Sequence, residues 1–244
     1  MTEAAALSFD TLVEQATAGY AAAGRYAHGF ARGKLRHDPV FRALLARGLL
    51  PARVRLLDLG CGLGVLPALL DAAAAAHRNG TWIADWPAPP QPEQLTGIEL
   101  LDWKVAAGQA ALGARAHLVQ GDIRSAALPT CNVVVVLDVL LYLAPEEQLA
   151  VLARIAEALT PDGMLILREA DAAAGWRFHA TRLAEQACCL ARGQGWARLH
   201  YRPAAQWRAA LAELGFAVQS LPMSAGTPFG NVLHLARRSG AQAC

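Results

Sequence analysis

The sequence predicts an α/β fold built on a mostly parallel sheet of seven strands. Three observations lead there. From Val54 onward, short β-rich runs alternate with helical stretches, the pattern of parallel strands joined by helical crossovers. A glycine-rich turn, LLDLGCGLG over residues 56–64, joins the first run directly to a helix. The run NVVVVLD at 132–138 is apolar enough for a central strand buried on both faces.

Helices are expected first, near 8–18, 20–36 and 39–48. Asp38 can cap the third, Pro39 fits its first position without losing a needed donor, and Gly48 can end it. Strands follow near 54–59, 95–99, 116–120, 132–138, 163–168, 215–221 and 231–236, with helices near 64–77, 103–112, 145–159 and 203–214 between them. Pro145 with Glu146 and Glu147 starts a helix, and TPDG at 160–163 reads as a turn. Two stretches exceed this alternation. His77 to Leu95 is rich in proline and tryptophan and reads as an extended surface excursion, and Arg168 to Pro203 looks helical, mixing aromatic and basic residues. The expected organisation is an N-terminal helical segment over 1–53, then one domain over 54–244 with a cap insertion near 170–202.

The chain has 244 residues, 55% apolar and 17% charged, which excludes a disordered chain. No apolar run reaches the roughly 18 to 20 residues that span a bilayer, and MTEAAALSFD lacks the basic start and apolar core of a signal peptide. A cytoplasmic protein without membrane insertion is expected. Cys61, Cys131, Cys188, Cys189 and Cys244 lack zinc or redox spacing and read as reduced thiols, so no metal site is expected. Charge is uneven: residues 20–55 hold eight Lys or Arg against one Asp, and residues 171–202 hold five Arg against two acids. That asymmetry suggests an anionic partner near these segments, or a solvated helix surface.

The glycine turn carries the chemistry. Glycines permit positive φ and close approach of a ligand to the backbone, and the helix that follows offers unpaired amides. Gly60, Gly62 and Gly64 are therefore cofactor residues. A dinucleotide turn is written G-x-G-x-x-G, whereas here the third glycine comes one residue early. Asp58 ends the strand, where it would repel a pyrophosphate but could hold the ammonium of a methionine moiety. Glu99, in TGIELLD, can accept bonds from both ribose hydroxyls; its other reading is a loop acid before the Asp102 helix cap. Asp122, in VQGDIRS, can accept from an adenine amino group with Ile123 against the ring. Asp138 and Tyr142 emerge where ligands sit in open parallel sheets, and Leu137 and Leu141 are placed to line a pocket. Asp138 could equally cap the following helical turn.

Together these residues resemble the class I methyltransferase family over roughly residues 54–237. The resemblance implies a Rossmann-like sheet of order 3-2-1-4-5-7-6 with its seventh strand antiparallel. It implies S-adenosyl-L-methionine as cofactor, S-adenosyl-L-homocysteine as product, and a cofactor set of Asp58, Gly60, Cys61, Gly62, Gly64, Glu99, Leu100, Asp122, Ile123, Leu137, Asp138 and Tyr142. The long insert before Glu99 departs from the family pattern and puts the second strand in doubt.

Transfer from a sulfonium is an in-line displacement with an excellent leaving group, so positioning and desolvation dominate and a base is optional. For a phenolic acceptor, ordinary pKa about 10, candidate bases are Glu169, His179 and His200, accompanied by Trp176, Phe178, Trp196 and Tyr201. Tyr26, Arg32 and Lys34 are candidates on the N-terminal side. An aromatic, arginine-bearing cap suits a flat acceptor with an anionic tail, on a small molecule or an acyl carrier protein; helix packing explains many of the same residues.

GRYAHGFARGKLRHDPVFRALLARGLLP, RLHYRPAAQW and LPMSAGTPFGNVLHLAR look like bacterial methyltransferases of aryl polyene or xanthomonadin-type pigment biosynthesis. That resemblance implies methylation of an aromatic head group or precursor. The rivals are an NAD(P)-dependent oxidoreductase, opposed by the early third glycine, and a noncatalytic methyltransferase-like binding protein. Nucleic acid is disfavoured, because LDVLLYL stands where a base-methylation motif would follow the fourth strand.

Overall fold

Seven strands form the sheet: β1 (Arg53–Leu59), β2 (Gln91–Glu99), β3 (His117–Gln120), β4 (Cys131–Leu137), β5 (Leu159–Ala170), β6 (Phe216–Pro222) and β7 (Asn231–Arg238). Their order is β3-β2-β1-β4-β5-β7-β6, and β7 runs antiparallel to both β5 and β6. The computed structural model describes residues 7–191, 193 and 195–238, so Cys244 lies outside the described residues. Cys61, Cys131, Cys188 and Cys189 form no disulfide. The chain divides into two compact units, one ending at Ala126 and the other beginning at Ala127.

The first unit opens with α1 (Phe9–Thr17), a 3-10 turn (Ala18–Ala21), α2 (Arg25–His37) and α3 (Pro39–Ala46). Asp38 caps α3 as its sequence implies, its carboxylate accepting from the Val40 amide at 3.2 Å. Between α1 and α2 the chain tightens into the 3-10 turn, which places the Tyr20 hydroxyl 2.8 Å from the Leu63 carbonyl. That buried bond ties the N-terminal helices to the glycine turn. α4 (Val65–Arg78), almost wholly apolar, is buried along most of its length, and α5 (Asp102–Leu112) follows β2.

The proline- and tryptophan-rich excursion packs back onto these helices. Trp86 lies 5.8 Å from the Phe9 ring, Trp82 meets Trp86 edge-on at 6.1 Å, and the Arg42 guanidinium of α3 sits 5.5 Å from the Trp86 ring. β2 begins four residues earlier than the apolar pattern suggests. Val54 pairs with Pro92 and Arg55 with Gln94, so Glu93 is the extra residue of a bulge that accommodates a proline lacking an amide proton.

In the second unit β5 likewise starts early. Cys131 pairs with Leu159 and Val133 with Met164, so the TPDG turn is taken up as an irregularity within the strand. α6 (Pro145–Ala158) starts at its proline, with the Glu147 carboxylate accepting from the Ala144 amide at 2.9 Å. α7 (Trp176–Ala191) lies within the stretch 170–202 whose sequence looks helical, and α8 (Ala204–Glu213) precedes β6. Among the described residues no helix is long and apolar enough to cross a membrane.

Candidate functional site

At the end of β1 the chain turns through Gly60, Gly62 and Gly64, all with φ between 60° and 74°. Side chains rarely adopt that conformation, and at Gly64 a Cβ would also lie 2.8 Å from Leu112 and 3.0 Å from Leu118. The Ile98 carbonyl of β2 accepts from the Gly60 and Cys61 amides at 2.8 and 3.2 Å, pinning the turn to the neighbouring strand. Glu99 completes the clamp: one carboxylate oxygen accepts from the Gly62 amide at 3.0 Å, the other from the Leu101 amide at 3.1 Å, with Lys104 at 3.5 Å.

Asp58 is the unbalanced group in this cluster. Its side chain is buried, and among the described residues it accepts no hydrogen bond. Burial first, and the nearby Glu99 carboxylate second, raise its carboxyl from 3.8 to about 7. The same burial and the same two carboxylates push the Cys61 thiol up, so Cys61 packs as an apolar residue beneath the turn. A cation delivered to Asp58 would relieve this arrangement.

Gly97, which the sequence reading passed over, makes the close packing possible. A Cβ there would meet the Cys61 sulfur at 2.6 Å and Leu118 at 2.8 Å. Gly97→Ala is expected to cost about 1–3 kcal/mol of stability through overpacking, read as a lowered urea midpoint.

The remaining candidates of the first unit are placed as follows. Leu100 is 59% exposed just past Glu99, and Ile123 is buried after β3. The Asp122 carboxylate is held by Arg124, whose Nε lies 3.0 and 2.9 Å from its two oxygens, so an adenine amino group would share those oxygens with a guanidinium. Arg32 pairs with Glu14 at 2.5 Å and Lys34 with Asp38 at 2.7 Å, while Tyr26 lies exposed between Phe30 and Trp103, 6.2 and 6.1 Å away. α1 thus supplies acids against part of the basic face of α2.

In the second unit Asp138 follows β4 with φ 59°, a conformation that Asp tolerates better than most residues. Its carboxylate is gripped by the buried guanidinium of Arg168, through Nε at 3.0 Å and through Nη2. Arg168 was not foreseen, because a lone arginine in an apolar strand has no diagnostic pattern. Glu169, a candidate base, accepts instead from the Val139 and Leu140 amides at 3.2 and 2.8 Å and so holds the 3-10 turn Leu140–Tyr142. Burial, with the Asp138 charge adding to it, pushes the Glu169 carboxyl up. His179 is exposed on α7; His200 is half-buried, its amide donating to the Leu141 carbonyl at 2.7 Å. Among the described residues no hydrogen bond links Glu169, His179 and His200.

A different set gathers there. The Tyr142 hydroxyl lies 3.0 Å from the Glu185 carboxylate, and the Phe178 and Tyr201 rings meet edge-to-face at 5.1 Å. The Tyr201 hydroxyl is buried without a hydrogen-bond partner among the described residues. Burial, then the charges of Glu185 and Glu169, push it up, so it stays protonated and can donate. Among the described residues no three His, Cys, Asp or Glu side chains gather as a metal-binding set.

Comparison with known proteins finds a family model described as methyltransferase domain that matches residues 27–221. Carboxy-S-adenosyl-L-methionine synthase of Chromohalobacter salexigens is 34% identical over 117 residues, which is 46% of this chain and 38% of that protein. The chain thus spans little more than a third of the length of the curated relative it matches. Among solved structures, magnesium protoporphyrin IX methyltransferase from Synechocystis PCC 6803 with bound S-adenosylhomocysteine superposes with a TM-score of 0.58 at 21% identity, covering 95% of this chain and 98% of that one. The mitomycin 7-O-methyltransferase superposes with a TM-score of 0.55 at 19% identity over 93% of this chain and 67% of that one. Both are likenesses of fold.

Proposed function

The chain belongs to the methyltransferase domain family, and on that premise we propose that it transfers the sulfonium methyl of S-adenosyl-L-methionine to a small-molecule acceptor. The observation that carries the reading is Asp58: a buried carboxylate without a donor, beside a turn of three positive-φ glycines, fits a ligand that brings its own cation. The methionine ammonium is that cation. Glu99, fixed by the Gly62 and Leu101 amides, retains lone pairs for the ribose hydroxyls. Leu100 and Ile123 supply apolar surface for adenine, with Asp122 at its edge. Gly60, Cys61, Gly62 and Gly64 form the turn, while Leu137, Asp138 and Tyr142 are assigned to the methionine end by family resemblance alone.

S-adenosyl-L-methionine held there would supply an electrophilic methyl, whose transfer from sulfur to the acceptor would leave a neutral thioether and release the acceptor's proton. The acceptor is proposed to be an aromatic hydroxyl compound, free or carrier-bound, of the aryl polyene type. Phe178 and the Tyr201 hydroxyl, which is protonated and able to donate, support that class. The test incubates the protein with methyl-labelled cofactor and a panel of free and carrier-bound phenolic acids, locating the label by mass spectrometry. Calorimetry with S-adenosylhomocysteine and with NAD runs beside it, and binding of NAD alone would sink the reading.

A second reading is favoured by the 34% identity to a carboxy-S-adenosyl-L-methionine synthase: the chain alters the sulfonium itself. Mass analysis of the nucleoside after turnover separates the two, since transfer leaves S-adenosylhomocysteine and remodelling leaves a heavier sulfonium.

A further inference from the structure

α7 carries an apolar stripe on its outer side. Trp176, Leu183 and Leu190 recur at seven-residue intervals, two helical turns apart, and are 65%, 69% and 52% exposed. Trp196, beyond the end of the helix, is 75% exposed. Three large apolar side chains left in water along one helix face, with an exposed tryptophan shortly after the helix end, mark an interaction surface rather than scattered exposure.

Charge selects the partner. The two acids of this segment are already engaged: Asp171 accepts from the Ala173 and Ala204 amides, both at 2.9 Å, and Glu185 from the Tyr142 hydroxyl at 3.0 Å. Arg177 and Arg202 are also held within the unit, by the Thr227 carbonyl at 3.1 Å and by Gln148 at 2.7 Å. Arg182 and Arg198 are exposed beside the stripe. Among the described residues the outer face is therefore apolar with Arg182 and Arg198 exposed at its flanks, while the two acids of the segment are directed to partners within the unit. A second copy of the chain would set those cations against themselves, whereas an anionic lipid headgroup layer would neutralise them and receive the tryptophans at its interface.

We propose that the outer face of α7, with Trp196, binds the surface of an anionic membrane. The helix lies on the headgroup layer and does not span it. Such docking would suit an amphipathic acceptor taken from the bilayer surface.

The test is vesicle flotation of the whole chain with phosphatidylcholine alone and with phosphatidylcholine containing phosphatidylglycerol. The wild type is expected to float with the anionic vesicles only and to be released by salt. Leu183→Glu should weaken binding at least about tenfold, and Arg182→Gln with Arg198→Gln about 30-fold. Both variants should keep the wild-type affinity for S-adenosylhomocysteine and the wild-type melting midpoint, which separates a lost surface from a lost fold or a lost cofactor site. The proposal is overturned by a wild type that does not float, by equal flotation with neutral vesicles, or by variants that float as the wild type does. A concentration-dependent dimer that Leu183→Glu dissolves, without flotation, would overturn it in favour of self-association.

Discussion

Arg168→Met is expected to destabilise the protein by about 3–5 kcal/mol, more than any single surface change. The guanidinium is buried in β5 and grips the Asp138 carboxylate, itself held where φ is 59°. Methionine would fill much of the volume but take away the guanidinium that grips the Asp138 carboxylate, with the Glu169 carboxyl close by. Urea denaturation followed by circular dichroism measures the loss. Asp138→Asn in the Arg168→Met background removes the carboxylate charge and should recover more than half of it, since Asn also tolerates positive φ. A single variant within about 1 kcal/mol of the wild type would show that this pair does not hold the β4 turn.

Asp58→Asn should weaken S-adenosylhomocysteine about 100-fold or more at pH 8, measured by calorimetry, because a buried ionic contact to the ligand ammonium is lost. The wild type should lose affinity about tenfold for each pH unit below 7, since the Asp58 proton, held up to about 7, must leave before the ammonium can pair. The variant should lack that slope. Stability without ligand runs the other way. The folded carboxyl titrates near 7 and the unfolded one near 3.8, so the folded state holds the extra proton between them and stability falls as pH rises through that window, by on the order of 4 kcal/mol in all. His234, pushed down to about 4 by burial and then by Arg208, has the opposite sign: its contribution is lost as pH falls from about 6.5 toward 4. Comparing wild type with Asp58→Asn at each pH cancels the histidine and leaves the aspartate.

These two predictions fall on opposite sides of what the sequence made legible. Asp58 could be read because its place is local: a strand end, three glycines and a helix start lie within nine residues, and the backbone geometry of such a turn follows from the glycines themselves. Arg168 could not be read. Its role depends on β5 lying in parallel register beside β4, where Leu137 pairs with Arg168, and no local pattern announces a long-range ion pair. Glu169 shows the same limit. A carboxylate at a strand end reads as a candidate base, and only the register shows that it also accepts from two amides of the neighbouring turn.

The sequence by itself determined the strand-helix alternation and, through its family resemblance, the strand order; it also nominated the first-unit residues proposed to hold a sulfonium amino acid. Hydrophobic period, glycine φ preference and capping all act within a few residues, so they are written in the chain. The tertiary structure alone decided that the Trp82 and Trp86 excursion packs on α1 and α3, that Arg124 occupies the Asp122 carboxylate, that the Tyr201 hydroxyl is left unpartnered, and that α7 turns an apolar stripe outward. Each depends on which groups distant in the chain come within a few ångströms, and burial and pairing energies are set at that distance rather than by neighbours in sequence.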